Sequence, residues 1–177
     1  MKRRRAGTLI DHAVTLAVWV VLFAILVPVF SRARNNARRA TCQSNLKQIC
    51  LALWQYTEDS DGVLPTRDWV SLTKPYAKEK DIFRCPVKND GRGRGDYFFN
   101  ARLLRRELGG ISAPQSLILL GDGSDDSPVA RFPTGWRTDE SSPAWRHLEG
   151  ANYAFGDGHV KWLKASRVKS TFRMVMP

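Results

Sequence analysis

Few residues of this 177-residue chain have types and spacings that do chemistry, and those few point to binding. Asp122, Ser124 and Asp126 alternate within Gly121-Asp122-Gly123-Ser124-Asp125-Asp126-Ser127, offering oxygen donors at a spacing that suits calcium. The glutamate that closes a helix–loop–helix calcium loop at its twelfth position is missing, which excludes that motif and leaves a solvated acidic turn as the competing reading. The cysteines are Cys42, Cys50 and Cys85, and His12, His147 and His159 show no zinc spacing with them. In an exported domain an odd cysteine count predicts one bridge and one free thiol, with three reduced, buried thiols as the alternative. Gly91-Arg92-Gly93-Arg94-Gly95-Asp96 has the composition of a phosphate loop or of an adhesion tripeptide, but no strand-then-helix context surrounds it, so it reads as a flexible basic loop. The chain shows no nucleophile elbow, no carboxylate pair with a credible cleft and no metalloprotease helix, so no enzyme is expected. The remaining group is Asp11, at the N-terminal edge of a long apolar run, where a carboxylate in lipid is costly without a partner.

The elements that position these groups begin with that run. Ala13 to Phe30 carries no charge and lies between Lys2-Arg3-Arg4-Arg5 and the basic Arg32, Arg34, Arg38 and Arg39. As a helix it spans about 27 Å at ~1.5 Å per residue, close to the hydrocarbon thickness of a bilayer. It is longer than the apolar core of a secretory signal, and bulky Val27-Pro28-Val29-Phe30 follows where small cleavage-site residues would be needed. An ordinary signal anchor and a prepilin-type segment remain. Pro28 is expected to kink the helix near its exit from lipid. Beyond it, Ala33, Ala37, Ala40, Leu46, Ile49, Leu53 and Tyr56 recur mostly every three or four residues as one apolar face, until Glu58-Asp59-Ser60-Asp61-Gly62 stops the helix. That predicts one helix of about 45–50 residues, roughly 70 Å long. A short helix or turn is predicted over 68–76, a strand from Tyr97, a short basic helix over 101–108 and a buried strand over 116–120. A hairpin follows, with Tyr153 and Phe155 on one strand, Gly156-Asp157-Gly158 as the turn, and Val160 and Trp162 on the returning strand. The fold class is α+β, a long N-terminal helix packed on a small antiparallel sheet.

Three stretches carry a resemblance to the prepilin and pseudopilin-like proteins of type IV pili and type II secretion. Ala6-Gly7-Thr8-Leu9-Ile10-Asp11 resembles the prepilin cleavage motif, with Ala6 for the usual glycine, Gly7 for the usual phenylalanine and Asp11 for the usual glutamate. Cys42-Gln43-Ser44-Asn45-Leu46-Lys47-Gln48-Ile49 resembles a post-anchor stretch of prepilin-like proteins, with Asp61-Gly62-Val63-Leu64-Pro65 following at the customary place. His147, followed by Asp157-Gly158, resembles a C-terminal His-x9-Asp-Gly motif of one such family, although a purely structural hairpin role for both residues is the plainer reading.

The resemblance implies a basic leader over 1–6, a membrane or filament-core helix over 7–30, its amphipathic continuation over 31–58 and an exported head over 59–177. It implies cleavage between Ala6 and Gly7 by a prepilin peptidase, then methylation of the new terminus. That register makes Asp11 the fifth mature residue and Pro28 the twenty-second, where the family places its acidic residue and kinking proline. It also implies a Cys42–Cys85 disulfide, by matching cysteines, and a head calcium site as in secretion-type pseudopilins. The leader is then cytoplasmic and the head lies outside the bacterial inner membrane.

The expected function is a filament subunit whose partners are the peptidase, other pilin or pseudopilin subunits and inner-membrane lipid. The formal charge of +11 stays strongly basic once Lys2 to Arg5 are removed, and the chain has six tryptophans. A non-assembling, membrane-anchored protein that binds DNA or acidic glycan is therefore the alternative. The basic residues are scattered and form no recognisable nucleic-acid motif.

Overall fold

The computed structural model describes residues 8–66, 68–87, 96–123 and 146–164. It divides into two units, Met1–Ala37 and Arg38–Pro177. One helix, α1 (Leu9–Asp59), supplies residues to both. A second short helix, α2 (Trp69–Thr73), and four strands complete the regular structure: β1 (Tyr97–Phe99), β2 (Ile118–Asp122), β3 (Gly150–Phe155) and β4 (Val160–Lys164). The strands pair in the order β1-β2-β3-β4, every pair antiparallel. The fold is α+β.

In the first unit α1 starts at a reciprocal cap. The Thr8 backbone N–H and hydroxyl both donate to Asp11 Oδ2 at 2.7 Å, and the Asp11 N–H returns a 3.4 Å bond to Thr8 Oγ1. From Leu9 to Phe30 the large apolar side chains are exposed on every face of the helix. A helix apolar all round is one that water does not surround. Among the described residues α1 is the one helix long and apolar enough to cross a membrane. It continues through Pro28 as helix.

In the second unit the face of α1 that packs inward is Cys42, Leu46, Ile49, Cys50, Ala52, Leu53 and Thr57. The expected face began nine residues earlier, yet Ala33, Ala37 and Ala40 are exposed and Tyr56 is half-buried. Alanine offers too little apolar surface for its spacing to demand cover. Asn45 donates from Nδ2 to the Arg84 carbonyl at 3.0 Å, and Lys47 Nζ donates to the Gly158 carbonyl at 2.7 Å. Residues 42–49 thus dock the helix on the rest of the second unit by apolar burial on one face and two polar ties beside it. Gly62, at φ +78°, ends the helix, its N–H returning to the Thr57 carbonyl at 2.9 Å.

The sheet is tightly packed where glycines let aromatics meet. Gly121 pairs with Phe98 on one side and Tyr153 on the other, and a Cβ there would lie 2.6 Å from the Phe98 ring and 2.9 Å from that of Tyr153. β3 is buried at every position, so its two faces cannot be told apart by polarity alone. Trp69 packs between Phe83 and Phe99, with ring centroids 5.9 and 6.0 Å away, and joins α2 to β1. The basic helix predicted over 101–108 is absent. Two single turns, Ala101–Leu103 and Leu108–Gly110, flank Arg105, which has a φ of +59°. The backbone there pairs elsewhere: Leu64 N–H donates to the Arg106 carbonyl and Leu108 N–H to the Gly62 carbonyl, which requires an extended Glu107 between them.

Candidate functional site

Two places hold the residues singled out by their chemistry. The first is the start of α1. Asp11 stands among exposed apolar side chains, its carboxylate drawn onto Thr8 as described. Ala6 and Gly7, the expected processing residues, lie outside the described residues.

The second is inside the head, and it is built from four separate elements. Cys42 comes from α1, Cys85 from the segment after the turn Lys80–Phe83, Asp122 from the last position of β2, and His147 from the segment entering β3. All four are buried. One ligand-type atom from each lies within 4.8 Å of the others. The two sulfurs, both of free thiols, are 2.8 Å apart. His147 Nε2 is 3.4 Å from Cys85 Sγ and 3.6 Å from Asp122 Oδ2.

Each member is held by its own local geometry. The Cys85 backbone N–H donates to Asp96 Oδ2 at 2.8 Å. Asp122 Oδ2 accepts from the Asn152 backbone at 2.6 Å and from its side-chain amide at 3.0 Å. His147 is fixed by a tight turn in which its N–H and C=O both bond to Gly150, at 3.1 and 3.2 Å, while Trp162 Nε1 donates to its carbonyl at 2.7 Å. The two residues inside that turn, Leu148 and Glu149, have φ values of +54° and +61°. Side chains pay for that conformation, which is the left-handed region. Gly150 is required at the exit, because a Cβ there would meet the Leu163 carbonyl and the Trp162 ring at 2.6 Å.

The electrostatics follow from burial and proximity. Burial pushes the Asp122 carboxyl up to about 6, against the pull of Arg146 and His147. The Cys42–Cys85 hydrogen bond splits the two thiols: it raises Cys42, with burial adding to the rise, and lowers Cys85, with His147 and Arg146 assisting. Arg146 is itself held by the carbonyls of Asp96 and Gly123. Cys50 stands apart, a buried thiol pushed up to about 12 by desolvation.

The structure separates the residues of the C-terminal motif. His147 precedes β3, and Asp157-Gly158 follows it in the turn to β4. A strand of that length puts roughly 20 Å between its ends at ~3.3 Å per residue. Asp157 Oδ1 accepts from the His159 N–H at 3.1 Å and meets its Nδ1 at 2.6 Å, organising the hairpin turn. Gly158, at φ +81°, faces the Trp54 ring. The motif therefore marks two ends of one strand, one serving the buried cluster and the other seating α1. Asp122 lies in the cluster, while Ser124 and Asp126, its expected calcium-binding companions, lie outside the described residues.

The sequence signal for the four-residue cluster was weak because its members are far apart along the chain and share no local spacing. A family model described as a protein of unknown function (DUF1559) matches residues 31–77, about a quarter of the chain. No curated protein and no solved structure matches it. Over the docking half of α1 and the α2 segment that follows, the chain is similar to that family.

Proposed function

We propose that the chain is a prepilin-like structural subunit. It is inserted in the bacterial inner membrane by α1, trimmed by a prepilin peptidase and assembled into a type IV pilus-like or type II secretion pseudopilus filament. The observation that carries this reading is the first half of α1: apolar and exposed all round, with one carboxylate, Asp11, at its start. In lipid such a helix is satisfied as an anchor, and in a filament it is satisfied by copies of itself. Asp11 then takes the terminal amine of a neighbouring subunit as its partner, and the head stays outside the membrane. No reaction is required of the chain.

The second reading is a membrane-anchored binding protein that does not assemble and holds DNA or acidic glycan. The Thr8–Asp11 cap favours it, because Asp11 already has donors within its own helix.

Asp11→Asn separates the two readings. It keeps an oxygen for the cap and removes the charge for the amine. In cells carrying the assembly machinery, the Asp11→Asn chain is expected to reach the membrane at the normal level. Its sheared filament fraction is expected to fall about tenfold or more, since one pairing lost per subunit at ~1.4 kcal/mol is already a factor of ten. Filaments at the normal level from Asp11→Asn would overturn the assembly reading.

A further inference from the structure

We infer that Cys42, Cys85, Asp122 and His147 form a closed binding site for a zinc-class divalent cation, which clamps α1 to the sheet. The inference stands on the head alone and does not depend on filament assembly.

Two sulfurs, one imidazole nitrogen and one carboxylate oxygen are the ligand types and the number that tetrahedral zinc takes. Calcium and magnesium take oxygen shells and would leave the sulfurs unused. Tetrahedral bonds of about 2.0–2.3 Å place ligand atoms roughly 3.3–3.8 Å apart. The cluster shows 3.4 Å from His147 Nε2 to Cys85 Sγ and 3.6 Å from the same nitrogen to Asp122 Oδ2. The sulfurs, at 2.8 Å, are about 1 Å closer than two zinc-bound sulfurs, so binding requires them to part by that much.

Asp122 is fully buried and its Oδ1 has no hydrogen-bond partner, an expensive state for a carboxylate. A disulfide between Cys42 and Cys85 would consume the sulfurs and leave that carboxylate and the buried His147 as they are. A dication held at Asp122 Oδ2, the oxygen 3.6 Å from His147 Nε2, draws on all four groups and places opposite charge beside the under-bonded carboxylate. Two thiolates and one carboxylate exceed its charge by one, and Arg146, already acting on Asp122 and Cys85, balances the remainder. Binding requires loss of the thiol protons to solvent and no electron transfer. With four protein ligands in a buried site no position is left for water, so the role is structural.

The ligands come from α1, the segment before β1, the end of β2 and the entry to β3. One ion would therefore join the helix to three parts of the head, as a small core benefits from a metal clamp.

The test uses the full chain, isolated from membranes in detergent with thiols trapped at lysis. The expected result is about one zinc per chain, with Cys42 and Cys85 protected from alkylation until a chelator is added. Cobalt added to the apo chain should give thiolate-to-metal charge-transfer bands and the visible bands of a tetrahedral site. Cys50→Ser should change neither, and Asn152→Ala, which removes a donor from the Asp122 carboxylate, should weaken cobalt binding by about 10–100-fold. These readouts on the unaltered chain do not depend on Cys85→Ser or His147→Ala variants remaining folded. A chain two hydrogens lighter, with Cys42 joined to Cys85, overturns the inference, as does a reduced chain that gives no tetrahedral cobalt spectrum.

Discussion

Gly158→Val is expected to unfold the head or bring it close to unfolding. Gly158 has a φ of +81°, where a β-branched residue is a severe outlier. A Cβ at this position would lie 2.2 Å from the Trp54 ring, so backbone and helix must move apart. The left-handed conformation costs roughly 1–2 kcal/mol and the overpacking roughly 1–3 kcal/mol more. The displacement also threatens the Lys47–Gly158 bond, one of the polar ties between α1 and the hairpin. Against a total of about 5–15 kcal/mol for a domain, the sum is large. Thermal unfolding of the detergent-solubilised chain, followed by near-ultraviolet circular dichroism, should show a transition lowered by well over 10 °C, or none. A shift of a degree or two would mean that the hairpin turn does not press on Trp54.

Leu46→Ala is the second large effect. Leu46 is fully buried in the face of α1 that packs on the head, in one core with Ile49, Leu53, Phe99 and Leu119. Truncation leaves a cavity among residues from several elements, and such cavities collapse poorly. The expected cost is about 2–5 kcal/mol in chemical denaturation. Because the apolar first half of α1 is not involved, recovery of the variant in the membrane fraction should match that of the unaltered chain while its second unit becomes sensitive to protease. Leu51→Ala is the control on the same helix, since Leu51 is 47% exposed, and it should cost less than about 1 kcal/mol. Equal effects from the two would contradict the docking face.

How much of this was legible in the sequence depends on whether the signal was local. The long helix was, because a charge-free run and a Gly62 stop are both written within a few residues of where they act; the Thr8–Asp11 cap at its start is seen only in the structure. The hairpin was too, because alternation and Gly156-Asp157-Gly158 define it without help from elsewhere. The face of α1 was read too long because spacing alone does not distinguish an alanine stripe from a packed one. The helix expected over 101–108 failed for the opposite reason: its local pattern was overridden by Leu64, far back in the chain, which takes the Arg106 carbonyl. Asp122 was read with its acidic neighbours as part of a loop, whereas it ends β2 and bonds to Asn152 on the adjacent strand. The cluster it joins is assembled by the sheet, so no spacing rule applied to residues 42, 85, 122 and 147 would have found it.

The N-terminal mass of the chain recovered from membranes, with the prepilin peptidase present, tests the central claim most directly. The recovered chain should start at methylated Gly7, which puts Asp11 in the pairing position. A start at methylated Thr8 would keep the processed class and overturn the register. An intact Met1 would contradict the account and leave a membrane-anchored head whose role lies in what it binds.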